Sequence, residues 1–198
     1  MEETLQHLRR FRSQGVDTLV FTPHLLAAEL TSEGVEDVLA LHRVRFRSVV
    51  ERVKDDPTVP ALHLGQEILA RRPEHLEVVV GRSDVGLADG PALLVEFGFE
   101  PGFDGDGVVE RGQAEGRPVV VAHPERYDFG DADPVATAAR WRDLGALLQV
   151  NGGSLAGLYT RQARTLAHAF LDEGLVDVVA SDHHGDHHTH GGMTPDGT

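Results

Sequence analysis

The sequence predicts an α/β fold on parallel strands whose ends converge, as in a β/α barrel. Three observations carry this. Short apolar, β-branched runs alternate with helical patterns along the chain. Several runs are apolar at nearly every position, as in strands buried on both faces. Five of them deliver a His, Glu or Asp at the carboxyl end, the edge where barrels and open α/β sheets place their chemistry.

Taken in order, Leu5, Leu8 and Phe11 mark one face of an opening helix, stopped at Gly15. A strand over Val16 to Thr22 ends in Thr22-Pro23-His24. Ser32 is placed to cap a long helix carrying Val35, Val38, Leu39, Phe46, Val49 and Val53, ended by Pro57. Ala61-Leu62-His63-Leu64 runs into Gly65-Gln66-Glu67, and Ala92-Leu93-Leu94-Val95 into Glu96. Glu74 to Gly81 is apolar but too short to assign. Gly107 to Gly116 is a weak helix, with Gly112 counting against it.

Val119-Val120-Val121-Ala122 follows Pro118, tolerable at the start of a strand, and must stop at Pro124, which cannot donate to the ladder. His123 and Arg126 therefore sit at or just past that strand's end. Pro134 to Leu144 reads as a helix with proline in its first turn. The strand Ala146 to Val150 leads into Asn151-Gly152-Gly153-Ser154, a tight turn where backbone approaches something closely. Arg161 to Leu171 is an amphipathic helix stopped at Gly174, and Val176 to Ala180 is the last strand, ending in Ser181-Asp182-His183-His184. Residues 1–182 read as one domain. Residues 183–198 read as a flexible His- and Gly-rich tail.

Composition narrows the function. The 198 residues suffice for a substantial core. There is no cysteine, so any metal must be held by nitrogen and oxygen. A net charge of −14 opposes non-specific nucleic-acid binding, which relies on Lys and Arg against phosphates. No apolar run approaches the ~20 residues of a membrane span, and the start is acidic rather than that of a secretory signal. A cytoplasmic location is expected.

The strand ends supply His24, Glu67, Glu96, His123, Asp182 and His184 as candidate metal ligands. Carboxylates can bridge cations and imidazoles complete their shells; such a donor set suits Mn²⁺, Fe or Zn²⁺. Two or three cations close together activate water and clamp a phosphoryl group. Asp182 and His184, two apart, would share one side of an extended segment. Arg126 has the planar fork that matches a phosphate. His7, His42, His63, His75 and His168 read as surface or packing residues. Arg161 and Arg164 read as a solvated helix face, and His183 to His190 as at most a weak metal-binding tract.

Thr22-Pro23-His24, Gly65-Gln66-Glu67, Val95-Glu96-Phe97, Ala122-His123-Pro124-Glu125-Arg126-Tyr127, Gln149-Val150-Asn151-Gly152-Gly153-Ser154-Leu155 and Ser181-Asp182-His183-His184 occur in that order. This resembles the PHP-type (polymerase and histidinol phosphatase) metal-dependent protein-tyrosine phosphatases of bacterial capsule and exopolysaccharide operons. The resemblance implies a distorted, TIM-like β/α barrel with up to three divalent cations, most often manganese. It implies that Glu67 bridges two of them, that Glu96 and His123 complete one, that Asp182 ligates another, and that His24 and His184 serve the third. Arg126 is implied to bind the phosphate. The implied reaction is hydrolysis of phosphotyrosine on a protein, such as an autophosphorylated bacterial tyrosine kinase, by metal-activated water. The phenolate leaving group, with a parent pKa near ~10, needs less help from a general acid than an alkoxide. Family members open with a strand carrying Asp-x-His-x-His and continue past the Ser-Asp-x-His segment. The present barrel is therefore expected to be incomplete at both ends. Two other readings remain: a small-molecule phosphoesterase of the same superfamily, and a catalytically impaired fragment or binding module.

Overall fold

The protein, seen in a computed structural model, is described over residues 2–184. The expected tail lies outside the described residues from 185 onward. Helix α1 (Glu2–Ser13) buries Leu8 and ends where Gly15 turns at φ 90°. The next two extended segments are each split. Strands β1 (Thr18–Phe21) and β2 (His24–Leu25) are separated by Thr22-Pro23, and β3 (Ala61–Leu64) and β4 (Glu67–Leu69) by Gly65-Gln66. The pair bends together. β1 pairs with β3 in a two-stranded parallel sheet and β2 with β4 in a second sheet. Across the bend, Gly65 N–H donates to Phe21 O at 2.8 Å and Glu67 N–H to Pro23 O at 3.1 Å.

The second sheet has six parallel strands in the order β2-β4-β5-β6-β7-β8, with β5 at Leu93–Glu96, β6 at Val119–Ala122, β7 at Leu147–Asn151 and β8 at Val178–Ala180. Each step goes to the next neighbour in the same direction. Right-handed crossovers then place the connecting helices on one face. These are α2 (Ser32–Val53), α3 (Gly105–Ala114), α4 (Pro134–Asp143) and α6 (Arg161–Asp172), with the short α5 (Gly152–Ala156) following β7. Caps set their starts. Asp104 accepts from Gly107 N–H, Asp133 from Val135 and Ala136 N–H, and Thr160 from Ala163 N–H. The weak Gly107–Gly116 helix is thus real and begins earlier, because Asp104 nucleates it. Thr31, not Ser32, caps α2, accepting from Gly34 N–H at 3.2 Å. That helix ends at Val53, well before Pro57. The unassigned stretch after Arg72 opens as a 3₁₀ turn, Pro73–Leu76.

Alternation along the central strands separates two cores. Leu93, Val95, Val119 and Val121 face the main core with Phe97, Tyr127 and Trp141. Leu94, Val120 and Ala122 face the other side in a small cluster with Leu87 and Ala92. Glu96, two residues beyond Leu94, prolongs that second face at the carboxyl edge. Glu67 pairs with Leu94 in register and His24 with Glu67, so both lie along the same row of the sheet.

The sheet does not close among the described residues, which departs from the expected barrel. β8 pairs with β7 alone and β1 with β3 alone. The outermost strand is correspondingly poorly covered, with Val178 41% and Val179 55% exposed. Burial on both faces therefore holds for β5 and β6, which have strands on either side, and fails for β8.

Candidate metal centre

The residues the sequence nominates converge on one place: His24 and Glu67 open β2 and β4 just past the ends of β1 and β3, while Glu96, His123, Arg126, Asp182 and His184 lie at or beyond the carboxyl ends of β5, β6 and β8. Glu67 stands at its centre. Its Oε1 lies 2.7 Å from His123 Nε2, and its Oε2 lies 3.4 Å from His24 Nδ1. His24 Nδ1 is also 4.0 Å from Glu96 Oε2, and its Nε2 is 3.3 Å from His184 Nε2. Potential donor atoms of His24, Glu67 and Glu96 all lie within 4.8 Å of one another, as do those of Glu67, His123 and Asp182. Both groups contain Glu67. Glu96 falls with His24 and His123 with Asp182, a partition different from the one the family resemblance implies.

Local backbone geometry aims these side chains. His123 and Asp182 both adopt positive φ, 33° and 47°. Left-handed backbone is costly for a residue with a Cβ and tends to persist at functional sites. At His123 it falls where β6 ends and a 3₁₀ turn over Pro124–Arg126 begins, against the extended backbone that a following proline favours. At Asp182 it ends the extended path of β8, so Asp182 and His184 do not share one side of a strand as expected. The His184 ring instead folds back, with Nδ1 2.9 Å from Asp182 O and 3.4 Å from Asp182 Oδ1.

Asp182 is oriented through one oxygen. Oδ2 accepts from Arg126 Nη1 at 2.9 Å and from Asn151 Nδ2 at 2.7 Å. Asn151 Oδ1 in turn accepts from Gln149 Nε2 at 2.8 Å. Glu125, also buried, accepts from Asn151 N–H at 2.9 Å and from Ser154 Oγ at 2.7 Å, tying the turn after β6 to the end of β7. Tyr127 ties β5 to β6: its hydroxyl donates to Ala122 O at 2.6 Å and accepts from Phe97 N–H at 3.1 Å. The sequence signals for these supporting residues were the Val-Asn-Gly-Gly-Ser turn and the polar cluster around Arg126. Neither said what contacts what.

Buried carboxylates and imidazoles dominate the electrostatics of the site. Burial pushes the Glu67 carboxyl up. The hydrogen bond from His123 and the neighbouring imidazoles outweigh it, and the group sits below its ordinary value. Burial disfavours the charged His123 ring, but Glu67 outweighs it and His123 titrates above its usual value. Glu96 has no such hydrogen bond. Its burial, eased by His123 and aggravated by the adjacent Glu67, leaves it raised. His123 Nδ1 and Glu125 Oε2 are buried without a hydrogen-bond partner. The donor set is all oxygen and nitrogen, rich in carboxylate, and suits hard or borderline divalent cations.

Similar proteins carry the same architecture. A solved structure from a study of YwqE from Bacillus subtilis and CpsB from Streptococcus pneumoniae, both metal-dependent tyrosine phosphatases, superposes with a TM-score of 0.78 at 24% identity, covering 94% of this chain and 73% of that one. That likeness establishes the mixed α/β fold with parallel sheets. The tyrosine-protein phosphatase YwqE of Bacillus subtilis (strain 168) is 27% identical over 186 residues, 92% of this chain and 69% of its own. CapC of Staphylococcus aureus is 24% identical over 185 residues, 93% of this chain and 70% of its own. The family model for capsular polysaccharide synthesis, CpsB/CapC, matches residues 1–195, and the chain belongs to that family.

Proposed function

We propose that the chain is a metal-dependent phosphatase that hydrolyses phosphotyrosine on proteins. The observation that carries this is the pair of ligand groups sharing Glu67 with a guanidinium alongside. His24, Glu67, Glu96, His123, Asp182 and His184 would hold divalent cations, Mn²⁺ first and Fe or Zn²⁺ as alternatives, with up to three in a relative carrying more ligands. Such ions supply Lewis acidity and an activated water. The chain's own groups do the rest. Arg126 presents its fork to phosphoryl oxygens. Asn151 and Arg126 occupy Asp182 Oδ2, so a cation would be held through Oδ1. Phenolate, a stable leaving group, needs less help from a general acid than an alkoxide.

The consecutive strand order supports reading the sheet as the wall of a distorted barrel. The proposed substrate is an autophosphorylated tyrosine kinase of polysaccharide synthesis or export. The support is the family's link to capsular polysaccharide synthesis and the tyrosine-phosphatase activity named for its relatives. The proposed domain is residues 1–182. Among the described residues no helix is long and apolar enough to cross a membrane. The test is release of phosphate from phosphotyrosine peptides with Mn²⁺, lost in His123→Ala. Faster release from alkyl phosphates would favour a small-molecule phosphoesterase, and no metal-stimulated release would leave a binding module.

A further inference from the structure

The loops beside Arg126 carry two aromatic rings that no step of hydrolysis requires. The guanidinium carbon of Arg126 lies 4.6 Å from the Phe99 ring centroid and 5.0 Å from that of Tyr159. The two rings come from different loops, after β5 and after α5. Phe99 reaches its position by a backbone reversal. Phe97 is fully buried, and an extended chain would send Phe99 to the same side. Gly98, at φ 82°, breaks that alternation, and Phe99 emerges 46% exposed. Its ring stacks on His123 at 5.8 Å, and its carbonyl accepts from Asp128 N–H at 3.1 Å, so it is fixed to the turn that carries Arg126. Tyr159 is seated by Gly153, where a Cβ would stand 2.5 Å from the Tyr159 ring. Leu158, just before it, is 77% exposed.

An exposed phenyl ring in contact with both His123 and Arg126 is more than is needed to hold one arginine, and it offers an apolar contact beside the charged groups. Aromatic rings interact at centroid separations of about 4.5–7 Å. A phosphoester gripped by the Arg126 fork has its first carbon one P–O–C link away. A phenyl ring there would have Phe99 and Tyr159, the two rings that flank the Arg126 guanidinium, as its aromatic neighbours, whereas the single methylene of a seryl ester offers no ring to meet them.

We propose that Phe99 and Tyr159 form an aryl subsite beside Arg126 that receives the phenyl ring of a phosphotyrosyl group and so selects aryl over alkyl phosphates. The inference rests on the phosphatase reading, and its test separates the two. Equilibrium dissociation constants are measured by calorimetry on the Mn²⁺-loaded chain for phosphotyrosine and phosphoserine, each as its non-hydrolysable phosphonate, and for inorganic phosphate, alongside turnover of phosphotyrosine itself. The unaltered chain should bind phosphotyrosine about tenfold more tightly than phosphoserine, equivalent to ~1.4 kcal/mol. Phe99→Leu and Tyr159→Leu should each shrink that ratio severalfold while leaving the affinity for inorganic phosphate in place. Tyr159→Phe, which keeps the ring, should retain the ratio. An unaltered chain with no preference for phosphotyrosine overturns the subsite. So does a parallel loss of phosphate affinity in the leucine variants, which would mean that the rings merely hold Arg126. A chain that shows the binding ratio yet releases no phosphate keeps the subsite and sinks the phosphatase reading instead.

Discussion

The two flanks of the ligand cluster are held in different ways. Glu67, Glu96 and His123 stand on or just past the central strands β4 to β6 and are almost completely buried, with Glu67 and His123 in direct contact. His24 and His184 come from β2 and from the segment after β8, at the outer positions of the sheet, and their side chains are 50% and 35% exposed. A buried carboxylate that is not compensated is costly, so the central flank gains most from a cation. An exposed imidazole is already well solvated and gains less. In the proposed site the central flank would therefore be the strong, rigid anchor for a cation and the outer flank the weaker, adjustable one.

The largest test of that contrast is catalytic. His123→Ala or Glu67→Gln should lower Mn²⁺-dependent phosphotyrosine hydrolysis by about 10²–10³-fold or more, measured as kcat/KM. Near-normal turnover in either variant would remove the central flank from the chemistry. Next comes metal affinity, read by competition with a chromophoric chelator. Glu67→Gln should weaken it by roughly 100-fold and His184→Ala by nearer tenfold. Equal losses would erase the distinction.

Stability separates the same regions on a smaller scale. Tyr127→Phe strips a buried hydroxyl from Ala122 O and Phe97 N–H and should cost about 1–3 kcal/mol in denaturant unfolding. Val179→Thr on exposed β8 should stay within ~0.5 kcal/mol. The smallest effect lies far from the site. Asp56 accepts from Thr58 and Arg9, which hold its carboxyl down at about 2. A depressed folded-state pKa contributes stability above the ordinary carboxylate range, and that contribution is lost as pH falls toward about 2. The Tm difference between the parent chain and Asp56→Asn should thus be present near neutrality and shrink through that acid window.

Much of this could be read in the primary structure where the signal is local. Pro118 and Pro124 bracket β6, and Pro134 and Gly174 mark a helix start and stop that the fold keeps. The candidate ligands were visible because strand ends carry ionisable residues at regular intervals. Less legible were features fixed by partners distant in sequence. Thr31 rather than Ser32 caps α2, a choice between adjacent hydroxyls that depends on which backbone is already extended. Phe99 and Tyr159 carry no signal of their own in the sequence, because nothing nearby in it shows the Arg126 guanidinium between them.

Residue type and periodicity were enough to read a parallel α/β fold and to nominate an all-oxygen-and-nitrogen donor set and an arginine suited to phosphate, because these depend on side-chain chemistry and on the two-residue repeat of a strand. Which ligands share a cluster, which way Asp182 turns, and the fact that the described sheet stays open between β8 and β1 emerged in three dimensions. Those are properties of register and of contacts between residues far apart in the chain, and their free energies belong to pairs rather than to any single position.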